Sequence, residues 1–223
     1  MRQFSEIVDL AASRKGGREK LMAMIDGPKS KAALTKVPDN VWLAEMTRRV
    51  FQAGFNWSVI DKKWPGFETA FDGFDPARWA GMSDDDLDRL LADESIVRHA
   101  KKILSVQGNA AFILELAEEH GSAGKFFANS KPTEYTDLLL ALKKRAQRMG
   151  GTTAQYFLRG MGVDSAIITD HVVKALVREG VVDKAPTSVR DLTKCQQAFN
   201  QWMDDESLSL THVSRILAMS VDE

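Results

Sequence analysis

The sequence predicts an all-α fold of about ten helices in one compact body, cleft between two lobes. Three observations lead there. Apolar residues recur at intervals of three and four along most of the 223-residue chain. No segment alternates convincingly, as a half-buried strand would. Residues suited to helix capping stand where the periodic runs begin and end.

The elements follow in order. "MRQFSEIVDLAASRKGG" is amphipathic and mixed in charge, without the continuous apolar stretch of a signal peptide. In "DNVWLAEMTRRVFQAG" the apolar stripe is Trp42, Leu43, Met46, Val50 and Phe51, with Asp39 or Asn40 available as N-cap. "FDPARWAGM" sets Asp75 before Pro76, a cap followed by a first-turn proline. Ser83, with Asp86 three residues on, forms the pattern of a capping box opening "DDDLDRLLAD". Ser95 opens a longer run through "IVRHAKKILSVQGNAAFILELAEEHG", which Gly121 ends. "EYTDLLLALKKRAQRM" and "IITDHVVKALVREG" flank a glycine-headed segment, and "SVRDLTKCQQAFNQWMDDE" and "SLSLTHVSRILAMS" complete the chain.

Composition narrows the function classes. Apolar residues make up 44% and charged residues 27%, an ordinary globular balance. A net charge of −1 supplies no global basic field, so any contact with nucleic acid must come from a local patch. The single cysteine, Cys195, excludes an intrachain disulfide and a multi-cysteine zinc cage, and fits a reducing cytoplasm. No apolar stretch approaches the roughly 20 residues that span a bilayer.

One local patch exists. In "MGGTTAQYFLRGMGVDSAIITDHVV", residues 149–173, Gly150 and Gly151 precede a helical run. The first amides of such a helix lack intrahelical acceptors and sit at its positive end, a natural seat for a phosphate oxygen. Thr152 and Thr153 add hydroxyl donors, and Lys143, Lys144, Arg145 and Arg148 place four cations within six residues. The other reading of the same residues is a tight turn between packed helices, its cations complementing a helix dipole. The residues alone leave both open.

A wider pattern resembles the 3-methyladenine DNA glycosylase I family of the helix-hairpin-helix DNA glycosylase superfamily. Residues 52–103 carry "QAGFNW", the lysine pair at 62 and 63, "FDP", an acidic helix and "IVRH" with a later lysine, in that order. With "GGTTAQYFLRG" as hairpin and second helix, the resemblance covers roughly residues 45–175. It implies a helix-hairpin-helix glycosylase-like fold with a cleft for DNA, and hydrolysis of the N-glycosidic bond of an alkylated purine after base flipping. By resemblance, Trp57 and Arg49 fall in the base pocket, and Gln52, Gly54 and Phe55 on the loop that probes and fills the base stack. Gly150, Gly151, Thr152 and Thr153, with Lys144 and Arg148, would hold the phosphates. Arg98 and His99 match the family's Arg-His pair, for which a structural role is expected.

The chain departs from the family in three places. The family's buried base-recognising glutamate falls on Arg49, a reversal of charge that motivates a second reading, a catalytically altered DNA- or lesion-binding protein. Glu45, on the same helical stripe as residues 42, 49 and 52, either substitutes for it or pairs with Arg49 at the surface. The aspartate that many of these glycosylases carry after the hairpin aligns with Thr169, leaving Asp170 one residue late, either as a catalytic group or as a helix cap. The family's N-terminal segment, with its pocket tyrosine and zinc ligands, is replaced. Neither metal nor other cofactor is therefore expected, although His171 matches one ligand position.

The reading divides the chain into a divergent helical segment (1–40), a glycosylase-like core (41–180, with the helix-hairpin-helix at 134–160) and C-terminal helices (181–223). The expected partner is double-stranded DNA carrying an alkylated base. The chain is expected to act as a cytoplasmic monomer with no membrane association.

Overall fold

A computed structural model of the chain describes residues 1–222. The N-terminal segment forms α1 (Phe4–Lys15), α2 (Arg18–Ala23) and α3 (Lys31–Thr35). After α4 (Asp39–Gln52) and α5 (Trp57–Ala70) come α6 (Pro76–Ala80), α7 (Asp84–Ala92), α8 (Ala100–His120) and α9 (Ala123–Ala128). α10 (Tyr135–Arg145) and α11 (Thr152–Met161) enclose the glycine turn, and α12 (Asp170–Arg178), α13 (Val189–Glu206) and α14 (Leu210–Met219) follow. Among the described residues no strand occurs, and no helix is long and apolar enough to cross a membrane.

Most caps read from the sequence form, but α4 starts under Pro38 with no side-chain cap bond: Asp39 accepts instead from the Ala123 amide at 2.9 Å, and Asn40 donates to the Gly73 carbonyl at 3.1 Å. Ser83 and Asp86 make the reciprocal capping box of α7. Asp75 accepts from the Ala77 amide, with Pro76 in the first turn of α6. Thr169, not Asp170, caps α12, accepting from the Val172 amide at 3.4 Å. The structure contains more helices than the sequence suggests, and α5 shows why. Its "WPGFETA" stretch places Pro65 and Gly66 inside a helix, where both are disfavoured. The Thr69 hydroxyl donates to the Pro65 carbonyl at 3.1 Å. Gly66 allows α5 to lie on the Ser95 backbone, where a Cβ would come within 2.6 Å of the Ser95 carbonyl oxygen. That same neighbour corrects another expectation: the long helix begins at Ala100 rather than Ser95. Asp93 accepts from the Ser95 amide at 2.8 Å, a local turn that competes with helix, and Ile96 is buried.

The chain divides into two compact units. One comprises Ser30–Asn129 and Leu139–Met161; the other Met1–Lys29, Ser130–Leu138 and the chain from Gly162 onward. The units interleave along the sequence because α1 packs with α13 and α14. In the first unit the core is aromatic: Trp42 stacks on Phe127 at 4.5 Å, Phe51 meets Phe67 edge-on at 4.7 Å, and the Trp79 indole donates to the Phe71 carbonyl at 2.6 Å. α9 lies close to α3 because Gly124 faces the carbonyls of Leu34, Thr35 and Val37. In the second unit Phe4, Phe199 and Trp202 meet in the core, and polar side chains tie down the loops. Asp164 accepts from the Leu210 and Thr211 amides, the Tyr135 hydroxyl donates to the Ala166 carbonyl at 2.7 Å, and Gln196 accepts from the Thr136 amide at 2.8 Å.

Candidate base-binding and nucleic-acid site

The site is built inside the first unit, starting from the last two turns of α4. Glu45, Arg49 and Gln52 share one face. Arg49 Nε and Nη2 both lie 2.6 Å from Glu45 Oε1, and Arg49 Nη1 donates to Gln52 Oε1 at 3.0 Å. Gln52 in turn donates to Asp61 of α5 at 3.1 Å, and Asp61 also accepts from Arg48 at 2.6 Å. The Glu45–Arg49 pair is therefore not the surface pair the sequence allowed. Both side chains are largely withdrawn from solvent, at 15% and 17% exposure, and pack on α11 at Gly160. A Cβ at that glycine would run into the Glu45 carboxylate and the Arg49 guanidinium.

Beyond Gln52 the chain turns through Ala53 and Gly54 to Phe55, and α5 starts at Trp57 under an Asn56 cap that accepts from the Ser58 amide at 3.0 Å. Gly54 has φ +75 with open space around it, a conformation L side chains rarely adopt. Phe55 and Trp57 are each 40% exposed, high for large aromatic side chains. Gln52 is only 3% exposed, so of the three residues placed on the probing loop it belongs to the wall and Phe55 projects. The Trp57 ring meets the Tyr156 ring edge-on at 4.9 Å, and the Arg49 guanidinium lies 5.5 Å from the Trp57 ring centre.

The hairpin runs from the end of α10 to Thr152. Its backbone is held by α8: Asn109, fully buried, accepts from the Gln147 amide at 2.7 Å and donates to the Gln147 carbonyl at 3.2 Å. Gly108 leaves room for the Gln147 side chain. Arg148 and Gly151 take positive φ, 59 and 58, and a Cβ at Gly151 would meet nothing within 4 Å. The turn thus faces open space at Gly151, and α11 begins one residue later. Of the four cations near it, Arg145 is engaged by Glu119 and Glu115 of α8, at 2.8 and 3.3 Å; Lys143, Lys144 and Arg148 are exposed.

These pieces meet. Arg49, Gln52, Ala53, Gly54, Phe55 and Trp57 from the α4–α5 corner, and Thr152, Thr153 and Tyr156 from α11, line one cavity of about 210 Å³. Gly150, Gly151, Lys144 and Arg148 lie outside the lining. Asp170 is the exposed first residue of α12, in the other unit, and does not line this cavity. Arg98 lies 3.8 Å from Glu94, and His99 precedes α8 with its ring edge toward Phe55, 6.3 Å between centroids.

Three contributors were missed in the sequence. Tyr156 was visible only as an apolar position in "TTAQYFL". Asn109 lies in the middle of a long helix, where nothing marks a hairpin clamp. Lys102 is one of two adjacent lysines after "IVRH", and nothing in the sequence distinguishes it from Lys101. Lys102 is 3% exposed and donates to the Phe51 and Ala53 carbonyls at 3.0 and 2.6 Å. Burial, with the charge of Arg148 adding to it, pushes its amine down to about 8.

A glycine hairpin beside an aromatic cavity, in an all-helical unit, is the arrangement that the resemblance to the helix-hairpin-helix glycosylase class implies. The family model for methyladenine glycosylase matches residues 36–179. The chain belongs to that family. It is 33% identical over 141 residues to DNA-3-methyladenine glycosylase 1 of Escherichia coli K12, which covers 55% of this chain and 73% of that protein. DNA-3-methyladenine glycosylase of Haemophilus influenzae is 30% identical over 140 residues, covering 54% and 74%. The 3-methyladenine DNA glycosylase I of Staphylococcus aureus matches the fold with a TM-score of 0.52 at 28% identity, over 60% of this chain and 81% of that one. A crystal structure of 3-methyladenine DNA glycosylase I matches with a TM-score of 0.50 at 25% identity, over 61% of this chain and 82% of that one.

Proposed function

We infer that the chain is a DNA glycosylase of base excision repair, hydrolysing the N-glycosidic bond of an alkylated purine of the 3-methyladenine type. The observation that carries this reading is the shared cavity: residues of the α4–α5 corner and of the α11 N-terminus line one space large enough for a base. A base within a duplex is out of reach, so the enzyme must extrude it and hold the strand that gave it up. In this reading the amides and hydroxyls from Gly150 to Thr153 grip a phosphate, with Lys144 and Arg148 adding charge. Phe55 enters the gap left in the stack, and the everted base lies against Trp57 and Tyr156.

Recognition does much of the chemistry. A purine made cationic by alkylation is already a good leaving group, so the pocket has to orient it and admit water to the sugar carbon. Glu45 acts through Arg49, whose charge it offsets; Gln52 fixes the other side of the guanidinium. Asp170 is left with a role at the start of α12. The site requires neither metal nor organic cofactor for this reaction, and the chain works as a cytoplasmic monomer on double-stranded DNA.

The test is release of free 3-methyladenine from methylated duplex DNA by the purified chain, read by chromatography. Release is expected, together with duplex binding that weakens as salt rises because phosphate contacts displace counterions. Salt-dependent binding without release of any methylated purine would favour the altered, non-catalytic binder that the charge of Arg49 first suggested. No binding at low salt would exclude both.

A further inference from the structure

Lys102 is a buried cation whose bonds go to carbonyl groups rather than to a carboxylate. The carbonyls of Phe51 and Ala53 lie at the C-terminal end of α4, where helix acceptors run out of partners and the dipole is negative. The ammonium therefore finishes α4 as an external cap. It does a second thing at the same place: Nζ lies 4.3 Å from the ring centre of Phe55 and 5.8 Å from that of Phe51. One ring is fully buried and the other is the projecting aromatic of the loop. A buried ammonium carries a desolvation cost that an apolar side chain of similar length would not, so packing alone gives no reason for a lysine here.

We propose that Lys102 is a positioning residue for strand penetration: it clamps the end of α4 and holds Phe55 projected, so that the loop 53–56 meets the duplex already shaped. The inference rests on the reading of Phe55 as the wedge. Gly54 gives the loop its turn at φ +75, closed by the Phe55 amide donating to the Gln52 carbonyl at 3.1 Å, but a Cβ at the glycine would meet nothing within 4 Å, so no packing braces it there. Further stiffness comes from below, through the Lys102 bonds at 3.0 and 2.6 Å on either side of Gln52. Preorganisation of this kind lowers the ordering cost of the encounter.

A double-mutant cycle tests it, using single-turnover base release from a methylated duplex and, in parallel, the fluorescence of 2-aminopurine placed beside a stable abasic analogue. Lys102→Met and Phe55→Ala are each expected to slow release about tenfold and to suppress the fluorescence rise that accompanies insertion. The double variant is expected to be no slower than the slower single one, because both changes remove the same event. Lys102→Arg should recover part of the rate and of the fluorescence. Should the methionine variant not fold, Lys102→Gln, which keeps donors without the charge, takes its place in the cycle. Independent, multiplying losses would overturn the proposal and leave Lys102 a purely structural residue; so would a full fluorescence rise in the Lys102 variant. Base release by the parent chain that Phe55→Ala does not slow would remove the wedge reading itself while leaving the glycosylase reading intact.

Discussion

Glu179 and Glu45 are both carboxylates withdrawn from water and met by arginine, one in each unit of the molecule, and they do different work. Glu179 receives Arg2 Nη1 and Arg178 Nε, both at 2.7 Å, and the Arg2 amide at 3.1 Å; its side chain is 2% exposed. Arg178 also donates to the Ser220 carbonyl at 2.6 Å, so this one carboxylate ties the chain start, α12 and the end of α14 together. Glu45 has a single arginine, and that arginine lines a cavity and lies beside the exposed Trp57 ring. A charge with every partner supplied by its own unit is a structural fastening. A guanidinium fixed on two sides yet open toward a cavity remains available to something else.

Breaking the fastening should have the largest effect. Glu179→Ala leaves Arg2 and Arg178, 42% and 26% exposed, without their shared carboxylate and is expected to lower unfolding stability by about 1–3 kcal/mol. Denaturant titration checks this. The carboxylate also sets a pH dependence. Burial works against its charged form, but hydrogen bonds from Arg178 and the Arg2 amide and the charges of both arginines outweigh burial and hold it below its ordinary value of 4.5. Between the lowered value and 4.5 the unfolded chain binds the extra proton, so this contribution is complete above about pH 4.5 and is lost as the pH falls below it. Glu179→Gln should flatten that part of the acid unfolding profile; an unchanged profile would mean that the group is not what titrates.

Changes on the cavity side should move function and spare stability. Trp57→Ala is expected to reduce base release by roughly 10- to 100-fold, the worth of about 1–3 kcal/mol of stacking, while duplex binding measured by anisotropy changes little. Equal losses in both would assign Trp57 to the scaffold. The smallest effect is the most informative about the pair itself. Arg49→Gln removes a cation beside the base and leaves the Glu45 carboxylate without its arginine, which favours a positively charged purine. Release of 3-methyladenine should rise about 3- to 10-fold over the parent, in line with a one-unit electrostatic change. A fall would make Arg49 a required contact with the base.

The two units also differ in how much of them the sequence revealed. α13 and α14 open on Ser188 and Ser209, which accept from backbone amides within the first turn, and their apolar stripes are regular. Around the site the local signals conflict. α5 was hidden by Pro65 and Gly66, both explained by neighbours distant in sequence, and the Ser95 start of α8 gave way to a turn on Asp93. Gly151 of the hairpin was legible because positive φ has few alternatives; the Asn109 clamp beneath it was not, since a buried asparagine and an exposed one look alike in a helical run.

The sequence by itself determined the helical class, most caps, the glycine turn and the family pattern around Trp57, because these depend on propensities and spacings within a few residues. Tertiary structure alone decided that Arg49 is fastened to Glu45 under Gly160, that Tyr156 faces Trp57, and that Lys102 finishes a helix lying some fifty residues earlier in the chain. Each of these turns on burial and on a partner from another element, and both come into existence only when the helices pack.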